Sequence, residues 1–258
     1  MAVFQHNGRN IGYSINGEGP AILAFHGTTQ AANAWDQVRD ACTEARTWIV
    51  FEFPGSGESD MPTSPIELDE IVDDALALMQ HLGHEKFHVA GYSLGAVSAL
   101  YFAARHYAHV ETVTSLCGWS QSDARMRGTF DLWRRLIAIG PDMFIRYALV
   151  DGYTAATLEV IEPMWEGAVA MAATTVQPGS DAHLELDIRV NIEESLSKIT
   201  APCLVMGGLQ DRWVDISKSE QIAETVSNAT LISLPAGHLC IGELAGDIAS
   251  HIVKHTAR

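Results

Sequence analysis

A serine between two glycines is the first group in this chain that could act as a nucleophile. Gly91-Tyr92-Ser93-Leu94-Gly95 has the spacing G-x-S-x-G, with one apolar run before it and another after it. The glycines permit a turn too tight for side chains, so the serine oxygen would project from the end of a strand. Ser93 is therefore the predicted nucleophile. The alternative, an ordinary strand–helix turn with a capping serine, stays open.

Activation of a serine hydroxyl requires a base that takes its proton and an acid that orients the base. The chain contains 11 histidines, and His238 comes shortly after an apolar run at residues 230–234. Asp211 follows a similar run at residues 203–206. Because the carboxyl ends of parallel strands meet at one edge of a sheet, we expect Ser93, Asp211 and His238 to form a catalytic triad.

Other residues could take two of these roles. Asp215 stands four residues after Asp211, and Asp123 follows the preceding predicted strand, so either is an alternative acid. A loop histidine with a purely structural role is the corresponding alternative for His238.

The oxygen that becomes negative when a serine attacks a carbonyl group needs backbone N–H donors. Leu94, directly after the nucleophile, is one predicted donor, and Thr28, in the loop after residues 21–25, is the other. His26 in the same loop is interpreted as a residue that shapes the loop. The residues expected to line the substrate pocket are Trp119, His26 and Thr29.

Short β-like runs alternate with helical runs along most of the chain, which is typical of a mostly parallel sheet flanked by helices, an α/β fold. The predicted strands are residues 3–5, 10–15, 21–25, 47–53, 87–90, 110–116, 203–206 and 230–234. Helices are predicted at residues 94–104, at 216–225 and in the last segment, and Ser64-Pro65-Ile66-Glu67 has the pattern of a helix start.

The alternation stops in the middle of the chain. Residues 119–192 contain several short amphipathic patterns separated by Gly140-Pro141 and Gln177-Pro178-Gly179. This segment is predicted to be a helical lid inserted in the core, over one end of the sheet. The core itself is expected to comprise residues 1–118 and 193–258.

Composition excludes several classes of partner. The 258 residues carry a formal net charge of -16, which repels phosphate backbones and anionic lipids. We therefore expect a small-molecule substrate and neither a nucleic-acid nor a membrane partner. The first ten residues lack a secretory pattern, and four scattered cysteines do not form a disulfide framework. A cytoplasmic protein is expected, and its oligomeric state stays open.

No metal or organic cofactor is implied by the sequence. His81, His84 and His88 straddle the end of a predicted helix and the start of a strand, so they cannot share one face. His251 and His255 stand four residues apart near the chain end, where solvated histidines are common.

Five motifs occur in the order found in one large family. They are His26-Gly27, residues 53–60, the G-x-S-x-G turn, the Asp211 turn and Gly237-His238. In these motifs the chain resembles the lid-bearing α/β hydrolases, which include enol-lactonases, small-molecule esterases and carbon–carbon bond hydrolases. The resemblance implies an eight-stranded sheet with a lid between the sixth and seventh strands. Ser93 stands where dehalogenases and epoxide hydrolases carry aspartate, which argues against those two activities.

The expected function is a serine hydrolase that cleaves a small carboxylic ester, lactone or enol-lactone through an acyl-enzyme on Ser93. One alternative is a carbon–carbon bond hydrolase, or a biosynthetic acyl-transfer or cyclisation enzyme, that uses the same triad. Another is a hydrolase-like receptor that binds a ligand without turnover.

Overall fold

A computed structural model describes residues 1–42 and 44–257. Thr43 and Arg258, which the predicted core includes, lie outside the described residues. The strands are β1 (Ala2–His6), β2 (Arg9–Asn16), β3 (Ala21–Phe25), β4 (Thr47–Phe51), β5 (Phe87–Tyr92), β6 (Val110–Leu116), β7 (Cys203–Gly208) and β8 (Ala229–Leu234). They form one eight-stranded sheet in the order β1-β2-β4-β3-β5-β6-β7-β8. Pairing is antiparallel at β1–β2 and β2–β4 and parallel at the remaining pairs.

Helices cover both faces of this sheet. They are α1 (Asp36–Ala41), α2 (Leu68–His81), α3 (Leu94–Arg105), α4 (Ala124–Ile139), α5 (Pro141–Gly152), α6 (Ala155–Ile161), α7 (Trp165–Ala173), α8 (Ser180–Arg189), α9 (Glu193–Leu196), α10 (Ile216–Thr225), α11 (Cys240–Glu243) and α12 (Ala245–Thr256). Helices α2, α3 and α10 pack on one face, and α1 and α12 on the other. Each buried strand therefore contributes apolar side chains to two cores, which explains its continuous apolar sequence.

The predicted α/β class and the eight-stranded, mostly parallel sheet are confirmed. Helices α4 to α8, which we call the helical insertion, lie between β6 and β7. Among the described residues, no helix is long and apolar enough to cross a membrane.

The predicted helix start at Ser64 is wrong, because α2 begins at Leu68 after an extended Glu67. Residues before it serve tertiary contacts instead. The Ile66 side chain is buried, and its carbonyl oxygen accepts a hydrogen bond from the Arg189 guanidinium at 2.8 Å. The local capping pattern is overridden by this contact with helix α8.

Candidate active site

The turn between β5 and α3 holds Ser93 in a conformation that few residues adopt. Its backbone has φ 57° and ψ −122°, and such strain is characteristic of functional positions. A Cβ atom on Gly91 would lie 1.9 Å from the Gly95 carbonyl oxygen, and one on Gly95 would lie 2.2 Å from the Phe25 carbonyl oxygen. The two glycines are therefore required by close backbone approach, which lets the turn present Ser93 at the sheet edge.

The structure brings Ser93, His238 and Asp211 into one hydrogen-bonded chain. The distance from Ser93 Oγ to His238 Nε2 is 3.0 Å, and that from His238 Nδ1 to Asp211 Oδ2 is 2.7 Å. All three residues are buried. A nucleophile in contact with a base that is oriented by a carboxylate is the arrangement required for acyl transfer.

Asp211 is held firmly by its own turn. Its Oδ1 atom accepts hydrogen bonds from the backbone N–H groups of Trp213 and Val214 at 2.9 and 2.8 Å, so Oδ2 is directed at His238. The two alternative acids have other contacts. Asp215 accepts from the Ser217 N–H at the start of α10, and Asp123 accepts from the Met126 N–H at the start of α4.

The predicted oxyanion donors lie on the two loops that flank Ser93. Within the described residues, neither the Thr28 N–H nor the Leu94 N–H donates a hydrogen bond to a protein acceptor. Leu94 is the first residue of α3, whose N-terminal N–H groups carry partial positive charge. These groups are chemically suited to an oxyanion.

A cavity of about 170 Å³ opens onto Ser93 and His238. It is lined by aromatic and aliphatic side chains of the helical insertion and of the turn that carries Asp211, among them Trp133, Phe144, Leu149 and Trp213. No Asp, Glu, Lys or Arg side chain is among its described lining residues. It is smaller than the roughly 300–1,000 Å³ typical of pockets for drug-sized ligands. The site therefore fits a small uncharged molecule with an apolar part.

Of the three predicted pocket residues, only Thr29 lines this cavity. Trp119 is fully buried and donates from its indole N–H to Ser122 Oγ at 2.9 Å. The prediction failed for Trp119 because the residue turns into the base of the helical insertion instead of the cavity. The sequence offered no signal for Phe144 or Leu149, whose positions depend on how the inserted helices pack.

His26 begins the loop of residues 26–31, which we call the oxyanion loop because it carries Thr28, but it does not line the cavity. Its Nδ1 contacts the Gly27 carbonyl oxygen at 2.8 Å, and its Nε2 accepts from the Phe53 N–H at 3.2 Å. Complete burial lowers the pKa of His26 to about 3, so the imidazole is neutral at pH 7. These contacts agree with its interpretation as a residue that shapes the loop and correct its assignment to the pocket.

Trp213 is a site residue that sequence reasoning missed. Its ring centroid lies 4.8 Å from that of His238 and 4.5 Å from that of Trp133. The indole thus covers the His238 imidazole and links it to the cavity wall. Its position two residues after Asp211 was the signal available in the sequence.

A second cavity is larger, about 450 Å³, but contains none of the predicted catalytic residues. It lies beside β2 and the start of α2, where Arg9 forms ion pairs with Glu70 and Asp74. Its volume alone does not supply a nucleophile and a base in contact, so the smaller cavity is the candidate active site.

Among the described residues, one group could hold a metal ion: ligand atoms of Cys117, Asp211 and His238 lie within 4.8 Å of one another. The Cys117 Sγ atom also lies 3.4 Å from Cys240 Sγ. The hydrogen bond to Cys240, together with burial, raises the pKa of the Cys117 thiol well above its ordinary value, which disfavours the thiolate that metals bind. Asp211 and His238 already use their facing atoms on each other, so this group is better suited to packing behind the triad.

The fold and the contacts of Ser93 indicate the class of protein. A sequence profile for the alpha/beta hydrolase fold matches residues 20–243. The chain belongs to the α/β-hydrolase fold family and is a hydrolase.

Similar proteins share this architecture over nearly their whole length. The chain is 26% identical over 237 residues to pyrrolizixenacetamide deacetylase of Xenorhabdus hominickii, covering 89% of this chain and 88% of that protein. It is 24% identical over 262 residues to RutD of Azorhizobium caulinodans, which is named for carbamate hydrolysis, covering 97% and 96%. Its fold matches the crystal structure of the enol-lactonase from Burkholderia xenovorans LB400 with a TM-score of 0.87, 20% identity and complete coverage of both chains.

Proposed function

We propose that this protein hydrolyses a small, uncharged carboxylic ester, lactone or enol-lactone through an acyl-enzyme on Ser93. The observation that carries the proposal is the chain from Ser93 Oγ to His238 Nε2 at 3.0 Å and from His238 Nδ1 to Asp211 Oδ2 at 2.7 Å. This hydrogen-bonded chain opens onto a cavity whose described lining residues include no Asp, Glu, Lys or Arg.

In the proposed reaction, Ser93 attacks the substrate carbonyl carbon while His238 Nε2 takes the hydroxyl proton. The oxyanion of the tetrahedral intermediate accepts hydrogen bonds from the N–H groups of Thr28 and Leu94. The intermediate collapses, and the alkoxide or enolate leaving group takes the proton from His238 and departs as the alcohol or enol. Water then attacks the acyl-enzyme with His238 again as base, and Ser93 is regenerated.

The helical insertion supplies much of the cavity wall, so we propose that residues 119–192 act as a lid on a core of residues 1–118 and 193–258. The lid would exclude water from the acyl group and set its maximum size. The names of the deacetylase and RutD relatives make small amides and carbamates the second set of substrates to screen.

The test is the intact mass of the protein after brief exposure to a fluorophosphonate. We expect one phosphonyl adduct on the wild type and none on Ser93→Ala, because only an activated serine displaces fluoride. Ser98→Ala is the matched control: Ser98 is buried in α3 and donates to the Leu94 carbonyl oxygen, so this variant should be labelled like the wild type.

An unlabelled wild type, or an adduct that persists in Ser93→Ala, would contradict the proposal. After a positive result, hydrolysis of short neutral esters and lactones defines the acyl group. Acetamides and carbamates follow in the same assay.

A further inference from the structure

We propose that Asp187, on helix α8 of the insertion, is a positioning residue that holds Thr28 in place for the oxyanion hole. The inference rests on the proposed serine hydrolase function and extends it to a residue outside the substrate cavity. It makes the helical insertion part of the catalytic arrangement as well as a cover over it.

The contact joins the insertion to the oxyanion loop across the core. Thr28 Oγ1 donates a hydrogen bond to Asp187 Oδ2 at 2.7 Å. Asp187 is fully buried, and its Oδ1 atom has no hydrogen-bond partner among the described residues. Burial of a carboxyl group with one free oxygen is costly, so a structural role alone would be served better by an apolar residue.

Helix α8 is anchored before this contact and at Asp187 itself. His183 Nε2 lies 2.9 Å from the Pro54 carbonyl oxygen, and the Gly179 N–H donates to the Gly55 carbonyl oxygen at 2.8 Å. The Asp187 carbonyl oxygen accepts from Ser122 Oγ. Asp187 is therefore a fixed point from which the loop can be positioned.

The oxyanion loop needs such a fixed point. Thr29, next to the predicted donor, has φ 66°, a left-handed conformation that is unfavourable for a β-branched residue. A second hydrogen bond ties the insertion to this loop, since the Gln177 N–H donates to the Thr29 carbonyl oxygen at 3.1 Å. These contacts fix the loop, so the Thr28 N–H does not have to reorient when the oxyanion forms.

The protonation state of Asp187 distinguishes a positioning role from a purely structural one. Burial raises the pKa of Asp187 to about 8, so the carboxyl group is neutral at pH 7. His183 lies one turn earlier on α8, and His26 lies two residues before Thr28 in the chain. Burial lowers the pKa of His183 to about 4 and that of His26 to about 3, so both are neutral. Raising the pH through about 8 would place an uncompensated negative charge on the carboxyl group that contacts Thr28, the residue that carries the predicted oxyanion donor.

The experiment measures the rate of fluorophosphonate labelling and the kcat and KM for a neutral ester in four variants of Thr28 and Asp187 and in one control variant. Thr28→Val keeps the backbone donor but removes the tether, and Asp187→Leu removes the acceptor. Each should slow labelling and lower kcat about 10- to 100-fold, less than the 10²- to 10³-fold typical for loss of an oxyanion donor, with little change in KM. Thr28→Ser restores the hydroxyl and should recover most of the rate.

Asp187→Asn supplies the readout that a merely structural role would not move. We expect the labelling rate of the wild type to decline above pH 8. Asp187→Asn retains an oxygen acceptor but cannot ionise, so it should stay active at pH 7 and lack this decline. Asp181→Asn is the control on the same helix, because Asp181 is exposed and pairs with Arg134. It should behave like the wild type, and thermal unfolding of each variant checks folding.

The outcomes separate the two proposals. An unlabelled wild type would overturn the proposed function and this inference with it. A labelled wild type with unchanged labelling in folded Thr28→Val and Asp187→Leu would overturn the inference alone. So would an alkaline decline that persists in Asp187→Asn.

Discussion

At the scale of single residues, the triad depends on how each atom of Asp211 is used. Oδ1 accepts two backbone N–H groups of its own turn and Oδ2 contacts His238 Nδ1. This division leaves the His238 Nδ1 atom with an acceptor, which selects the tautomer whose Nε2 can take the Ser93 proton. The carboxylate therefore sets both the orientation of the imidazole and its tautomer.

We predict that Asp211→Asn lowers kcat by about 10⁴-fold. The Asn oxygen should keep the two backbone bonds, which places the amide NH₂ group at His238 Nδ1 and forces the tautomer that cannot accept the Ser93 proton. Steady-state kinetics on a neutral ester, with thermal unfolding as a check, measure the effect.

The matched control for this prediction is Asp215→Asn, four residues away. Asp215 caps α10, and Asn is as good a cap as Asp, so kcat should stay within about twofold of the wild type. If Asp215→Asn abolished activity and Asp211→Asn did not, the acid would be assigned to the wrong residue.

At the scale of elements, each catalytic loop is tied to the helical insertion through one carboxyl group. Asp187 binds Thr28 on the oxyanion loop. Asp151, on α5, accepts a hydrogen bond of 2.8 Å from the indole N–H of Trp213, in the turn that carries Asp211. Glu243, on α11, accepts from the Gly237 N–H at 2.8 Å and from the Thr154 N–H of the insertion at 2.9 Å. The insertion and the three loops thus form one connected arrangement.

We predict that Glu243→Gln destabilises this connection. Glu243 Oε1 also accepts from the hydroxyl groups of Thr154 and Thr157 at 2.7 and 2.6 Å, and an amide nitrogen cannot accept any of these bonds. The free energy of unfolding should fall by about 1–3 kcal/mol, and kcat should fall because the turn that carries His238 loosens. Urea unfolding and steady-state kinetics measure the two effects.

Thr157→Val is the control for the Glu243 prediction, since it removes one donor and leaves the contact with Gly237 intact. This variant should lower the free energy of unfolding by about 1 kcal/mol and leave kcat unchanged. Equal stability and activity of Glu243→Gln and the wild type would show that this connection contributes nothing.

At the scale of the whole molecule, charge and cavity select the same kind of substrate. The formal net charge of -16 repels anions during approach. The cavity then offers no described lysine or arginine to an anion that arrives. Neither the net charge nor the cavity lining disfavours a neutral molecule.

We therefore predict that salt affects two matched esters differently. With the same acyl group, kcat/KM for an ester with a carboxylate-bearing leaving group should rise several-fold between about 10 and 300 mM NaCl, because salt screens long-range repulsion. A neutral leaving group should give a constant kcat/KM, and the neutral ester should be the better substrate throughout. Equal values at low salt would contradict the prediction.

The sequence alone determined the sheet and the positions of the predicted triad. Strands such as β3 (Ala21–Phe25) were predicted to the residue, because a strand buried on both faces needs an uninterrupted apolar run. Ser93, Asp211 and His238 each follow such a strand, and parallel pairing brings strand ends together whatever else the chain does. Local pattern and one topological rule were sufficient for this part.

Only the tertiary structure decided the cavity wall and the start of α2. Trp119 and Trp213 are equally apolar and both follow a strand end, yet only Trp213 lines the cavity. The raised pKa of Asp187 and the contact between Ile66 and Arg189 likewise depend on where α8 packs. The physical reason is that inserted helices are placed by side-chain contacts between residues far apart in the chain, and neither periodicity nor capping patterns record those contacts.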